Sequence, residues 1–202
     1  MVRIGISVEG LTEEQFVKQV LYPHFIMQNI WVTPIQVGGN VSVDRVGREL
    51  MRLARSYDYV TTLYDFYGFK GIASTETKPS LEGRIAQSVK ADYRDKLIPY
   101  VQMHEFEGLL FSSPHTIATV LQDTTLEPWA EGVFGEFDNN PEKINKSQET
   151  APSKRLIKQS RYRKTTHGPA IAARIGLEGL RERCAGFDGW IASLEALGQM
   201  SD

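Results

Sequence analysis

The chain has 202 residues, 41% of them apolar and 24% charged, enough for one domain with a sizeable core and ordinary for a globular protein. Its 23 Lys and Arg against 25 Asp and Glu leave a net charge of −2, so no global charge draws it to nucleic acid or membrane, although local clusters can. No apolar run reaches membrane-spanning length, Met1 opens no charged-then-apolar leader, and the single Cys184 excludes an internal disulfide and a Cys-rich zinc site; a cytoplasmic protein with no membrane partner is expected.

In chain order, residues 2–8 form an apolar, β-branched run that predicts a buried strand, and Gly10 supplies the turn out of it. Thr12 with Gln15 three residues later reads as a capping box, so a helix is expected to begin there. Phe16, Val17, Val20, Leu21 and Phe25 make a helical stripe that Pro23 must bend or break. Residues 30–37 predict a second strand, closed by Gly38-Gly39-Asn40, which lacks the features of a P-loop or a dinucleotide fingerprint. Val46, Leu50, Leu53 and Ala54 mark a helix over 43–56, with Arg45, Arg48, Arg52 and Arg55 outside.

Residues 59–64 predict a third strand ending on Asp65, followed by a polar loop over 68–79 and a mostly helical stretch over 81–97. A fourth strand is expected over 100–103, with 107–111 continuing it or forming its neighbour. The alternation of strands and helices predicts an α/β sheet, mostly parallel, of about four strands. Beyond residue 113 the pattern is a short helix over 114–121, a polar loop over 138–153, a basic helix over 153–160 and terminal helices over 169–182 and 190–197. This divides the chain into an α/β core over 1–113 and a helical, basic extension over 114–202 that caps one edge of the sheet within a single compact domain.

Three constellations carry chemistry. Glu9 and Asp65 each follow an apolar strand, so a parallel sheet brings both to one edge, where open α/β folds place their ligands. Carboxylates meeting there suit Mg²⁺, which takes hard oxygen ligands; singly, Glu9 can cap a helix and Asp65 can open a turn. In Gln102-Met103-His104-Glu105-Phe106-Glu107, strand alternation would set Glu105 and Glu107 on one face, needing a metal, a basic partner or water. His104 there reads as a proton shuttle or a structural histidine. The tract from Ser153 to Lys164 is dense in cations, has no acidic residue and includes Tyr162 as a stacking surface, which fits phosphate-backbone contact or a solvated helix face. His167-Gly168-Pro169 then opens a helix, where His167 contacts a phosphate or caps.

The blocks Glu9-Gly10-Leu11-Thr12-Glu13, Tyr64-Asp65-Phe66-Tyr67-Gly68, His104-Glu105-Phe106-Glu107-Gly108-Leu109-Leu110-Phe111-Ser112, Ala151-Pro152-Ser153-Lys154-Arg155-Leu156 and Tyr162-Arg163-Lys164 occur in this order. Together they resemble the bacterial family labelled domain of unknown function 4276, which is distantly similar to the Toprim fold of topoisomerases, primases and OLD-type nucleases. The resemblance implies a Toprim-like α/β sheet, Mg²⁺ or Mn²⁺, phosphodiester chemistry and an ATPase partner in phage defence. Glu9 matches the Toprim glutamate and Asp65 the first aspartate of its Asp-x-Asp motif. Tyr67 stands where the second aspartate belongs, and Glu105 or Glu107 is the candidate replacement.

The leading expectation is a Mg²⁺-dependent nuclease. Glu9, Asp65 and Glu105 or Glu107 would hold metal and activate water, and Lys154, Arg155, Arg163 and Lys164 would neutralise phosphates, with His167 as a lesser candidate. Tyr67 supports the alternative of a non-catalytic nucleic-acid-binding or regulatory subunit. A small-molecule phosphohydrolase would use the same carboxylates without the basic tract.

Overall fold

The computed structural model describes residues 1–39, 41–145 and 147–199; Asn40 of the glycine turn and the last three residues of the extension lie outside them. Five short strands form one sheet: β1 (Val2–Val8), β2 (Ile30–Gln36), β3 (Tyr59–Asp65), β4 (Leu97–Ile98) and β5 (Val101–Gln102). The order is β2-β1-β3-β4, β5 also pairs with β3, and every pairing is parallel. The sheet is therefore the expected mostly parallel one, flanked by helices with a helical C-terminal part.

The fourth strand is broken into two. Pro99 has no N–H to give the ladder, so the chain steps off β3 between the two pairings. Thr62 fills the gap: its hydroxyl donates to the Tyr100 carbonyl at 2.7 Å and accepts the Tyr100 N–H at 2.8 Å. Sequence reasoning placed one strand over 100–103; β4 and β5 share that role from 97 to 102.

Helices cover both faces, as buried parallel strands require. One face packs α3 (Val43–Leu53) and α4 (Lys78–Ser88) through Val46, Leu50, Leu81 and Ile85 onto Val60, Tyr64 and Val101. A single turn, α5 (Ala91–Arg94), leads into β4. The other face packs α1 (Leu11–Phe16) and α2 (Tyr22–Ile26) onto Ile4, Ile6 and Val8. The C-terminal helices join this second core: α6 (Pro114–Leu121), α7 (Leu126–Gly135), α8 (Pro152–Gln159), α9 (Lys164–Arg183) and α10 (Ala185–Gln199). They lie on a face of the sheet as well as its edge, since Trp190 stacks on Tyr100 at 4.5 Å and donates to the Thr61 hydroxyl of β3.

Three local expectations are corrected. The first helix starts two residues earlier than the Thr12–Gln15 pair suggests: Gly10 is the N-cap, and the Glu13 carboxylate accepts its N–H at 3.0 Å. The break expected at Pro23 falls just before it: a π-helical turn over Val17–Leu21 interrupts the α-helix, and Pro23 lies in the first turn of α2. The helix expected from Pro169 begins at Lys164 instead, and a left-handed Gly176 (φ 78°) divides it.

Candidate active site at the carboxyl edge of the sheet

The parallel register sets Val8 opposite Leu63, so Glu9 and Asp65 leave β1 and β3 at the same edge. Asp65 turns inward, and its Oδ1 accepts the Phe106 N–H at 2.7 Å. That bond fastens β3 to the segment carrying Glu105 and Glu107. Gly68 lies against the Glu9 carboxylate, which would have to shift to admit a Cβ there.

Residues 106–112 do not continue the sheet as expected. They form a 3₁₀ segment, Phe106–Ser112, so Glu105 and Glu107 do not share a strand face. His104 makes the break: it sits in the left-handed region at φ 62°, a conformation that costs a non-glycine residue about 1 kcal/mol or more. Its carbonyl accepts the Tyr67 N–H at 3.2 Å, and the chain reversal throws Glu105 toward Lys164. The hydrophobic run Gly108-Leu109-Leu110-Phe111 is buried on all sides rather than on one, which is why period-two reasoning misread it.

Both glutamates reach the same ammonium. Lys164 Nζ lies 3.5 Å from Glu107 Oε2 and 3.9 Å from Glu105 Oε1. Glu105 also accepts the Ser153 N–H at 2.8 Å, taking a free amide of the first turn of α8. Glu107 is 1% exposed and accepts the Tyr162 hydroxyl at 3.2 Å. Burial pushes its carboxyl up to about 7; Lys164 pulls down and Glu105 adds to the rise. Burial likewise raises Asp65 well above the ordinary carboxylate range, with Glu13 and Glu107 reinforcing it and Lys164 opposing. Glu9 is raised by burial and by Glu13. Burial also raises Glu13, against the two backbone amides that its carboxylate accepts. For Lys164 burial opposes the charge, but Glu107, Glu105 and Asp65 outweigh it and raise the ammonium. Five carboxylates thus answer to one lysine.

Glu13 is the member that sequence reasoning missed. Its signal was the helix start, since a carboxylate three residues past Gly10 points back to the same edge as Glu9. Lys164 is the reverse case, expected as a backbone-phosphate contact and found among the acids. Gly168 explains how α9 comes so close, because a Cβ there would meet the Tyr162 hydroxyl at 2.8 Å and Thr12 at 3.3 Å.

The rest of the basic tract divides. Lys154 pairs with Glu149 at 3.3 Å, and the Arg155 guanidinium donates to the Thr150 carbonyl and lies over the Phe137 ring. Neither joins the carboxylates. Arg163 and His167 line a surface depression of about 370 Å³ with Arg161. His167 accepts the Arg163 N–H at Nδ1, the capping role considered for it, and burial with the neighbouring arginines lowers its pKa. Tyr67 packs against the His104 ring at 5.3 Å, and its hydroxyl accepts from the Asn145 amide. Cys184 is buried at the start of α10 beside Ser112, its thiol pushed up by burial to about 12.

Hard carboxylate oxygens are the donor type Mg²⁺ prefers, and that ion ordinarily takes only one or two protein carboxylates alongside waters and substrate phosphates. Among the described residues no three His, Cys, Asp or Glu side chains are grouped so that they could hold a metal ion together. The donor chemistry fits an open Mg²⁺ site and not a cage.

The family model described as Domain of unknown function (DUF4276) matches residues 8–195. The chain belongs to this family. No curated protein and no solved structure matches it. The match takes in every member of the carboxylate cluster in this DUF4276 chain, together with Tyr162 and Lys164. None of its helices, among the described residues, is long and apolar enough to cross a membrane.

Proposed function

We propose that the protein is a Mg²⁺- or Mn²⁺-dependent, Toprim-like phosphodiester hydrolase acting on nucleic acid. The observation that carries this reading is the set of carboxylates from β1, α1, β3 and residues 105–107 gathered around Lys164 at the ligand-binding edge of a parallel sheet. Glu9 and Asp65, which leave adjacent strands at this edge, are the residues that would hold the ion, with water and substrate phosphate completing its shell. When bound there, the ion stabilises charge on a phosphoryl oxygen and makes a bound water more acidic. Glu107 and Tyr162 are buried too deeply to meet substrate, so they act as positioning residues that hold Lys164 in place. Lys164, with 43% of its side chain open, presents its cation to the phosphate, and Arg163 and His167 extend the positive surface beside it.

Tyr67 favours a second reading, a non-catalytic nucleic-acid-binding or regulatory subunit of an ATPase complex. It stands at the second aspartate position, and its hydroxyl is engaged by Asn145 rather than offered to a metal. Calorimetric titration of Mg²⁺ and Mn²⁺ into the wild type and the Glu9→Gln/Asp65→Asn double variant tests the first reading, followed by incubation with labelled DNA and RNA. The hydrolase reading expects binding and cleavage that both vanish in the variant. Wild-type protein that neither binds metal nor cleaves supports the subunit reading, and co-purification with an ATPase then tests that partner.

A further inference from the structure

We infer that the arginine stripe of α3, continued by Lys90, is a track for the phosphate backbone of nucleic acid, on the face of the sheet opposite α9. It takes only its ligand class from the reading above. Arg45, Arg48 and Arg52 recur at i, i+3 and i+7, so they project along one side of α3 while Val46, Leu50 and Leu53 bury the other, and Arg55 follows in the turn just past the helix end. Arg45 to Arg52 spans about 10 Å at the helical rise of 1.5 Å per residue, and Arg55 carries the stripe to about 15 Å. Arg45 marks its upper end at the sheet's carboxyl edge, where its guanidinium donates to the Val37 and Gly39 carbonyls.

Two neighbouring depressions follow the stripe and share Arg48 and Arg52, one of about 430 Å³ and the other of about 370 Å³. The second is lined by Arg48, Arg52, Arg55 and Lys90, with Asp92 as its acid and Tyr93 as a flat ring. Arg52 pairs with Glu49, whereas the guanidinium groups of Arg48 and Arg55 and the ammonium of Lys90 have no hydrogen-bond or ion-pair partner among the described residues. Five cations face two acids here, in a chain whose net charge is −2.

Guanidinium groups take phosphate oxygens in bidentate pairs, and a nucleic-acid strand repeats its phosphates every ~3.4 Å of axis, so the stripe reaches about four of them. A protein partner fits less well. Interface cores are depleted of charge and centred on apolar anchors, and this groove has cations at its centre.

The test is fluorescence anisotropy of a labelled duplex and a labelled single strand, without divalent metal, across a salt series. The Arg48→Glu/Arg55→Glu and Arg48→Gln/Arg55→Gln variants are compared with Lys154→Glu/Arg155→Glu, and circular dichroism checks folding. The track predicts a loss of tenfold or more in the Glu variant, a smaller loss in the Gln variant, and a log–log salt slope shallower by about two on duplex. Binding at wild-type strength and slope in folded Glu variant overturns it, as does a wild type that binds neither probe at about 50 mM salt. Equally tight, arginine-dependent binding to phosphatidylserine vesicles overturns the assignment to nucleic acid. Stripe-dependent binding without metal-dependent cleavage keeps the track and removes the hydrolase. Cleavage with no contribution from the stripe does the reverse.

Discussion

The carboxylate cluster and the α3 stripe are both dense collections of one charge, and the fold treats them in opposite ways. At the carboxyl edge the acids are drawn inward: Glu13 and Glu107 are 8% and 1% exposed, and one lysine serves them all. Along α3, Arg48 and Arg52, with Arg55 just past its end, stand in water, where repulsion is screened within about 8–10 Å and costs little. Carboxylates crowded together out of water raise one another's pKa and cost stability, whereas charges exposed to water are screened and cost little. The buried set thus carries a standing energetic burden that a bound cation or a proton relieves, while the exposed set is a surface poised for an anion.

The largest effect is expected at Lys164. Lys164→Met leaves Glu105 and Glu107 without their cation, and because 43% of the lysine side chain meets water the cost is discounted to about 2 kcal/mol at pH 8. The loss shrinks at pH 5, where more of the carboxyls are protonated. Urea unfolding at the two pH values measures both, and equal losses at each would sink the coupling.

The wild type carries the next effect through Glu107. Its folded pKa, pushed up to about 7, exceeds an ordinary unfolded value near 4.5. Below pH 4.5 both states hold the proton and the penalty is absent. As pH rises to 7 the unfolded state releases its proton first, so stability falls, and above 7 the full penalty remains. Glu107→Gln flattens this slope, and millimolar Mg²⁺ is expected to stabilise the wild type more at pH 8 than at pH 5. A urea midpoint unchanged between these pH values would contradict the account.

The smallest effect lies on α3. Arg48→Ala/Arg55→Ala is expected to shift stability by under about 0.5 kcal/mol at either pH, since neither guanidinium has a partner to lose. A larger change in thermal unfolding would mean that the stripe supports the fold rather than a ligand.

Much of this molecule was legible in the chain. Apolar runs marked β1, β2 and β3, the helical stripe of Val46, Leu50 and Leu53 marked α3, and the glutamate and aspartate after β1 and β3 marked the edge. Glu105 and Glu107 were singled out by residue type but for a geometry they do not have, because a left-handed His104 cannot be read from side-chain alternation. Glu13 was hidden behind a capping role that it does fill.

The sequence by itself determined the alternation of strands and helices, the parallel sheet and the two acids at its end, because hydrophobic periodicity and turn chemistry are local. Only the tertiary structure decided that Lys164, some 55 residues beyond the acidic segment, is their common cation, and that Lys154 and Arg155 are not. Which charge meets which depends on how closely α9 approaches α1, set by a missing Cβ at Gly168 and a hydroxyl at Tyr162. Such contacts arise from packing between distant segments, and no window along the chain contains them.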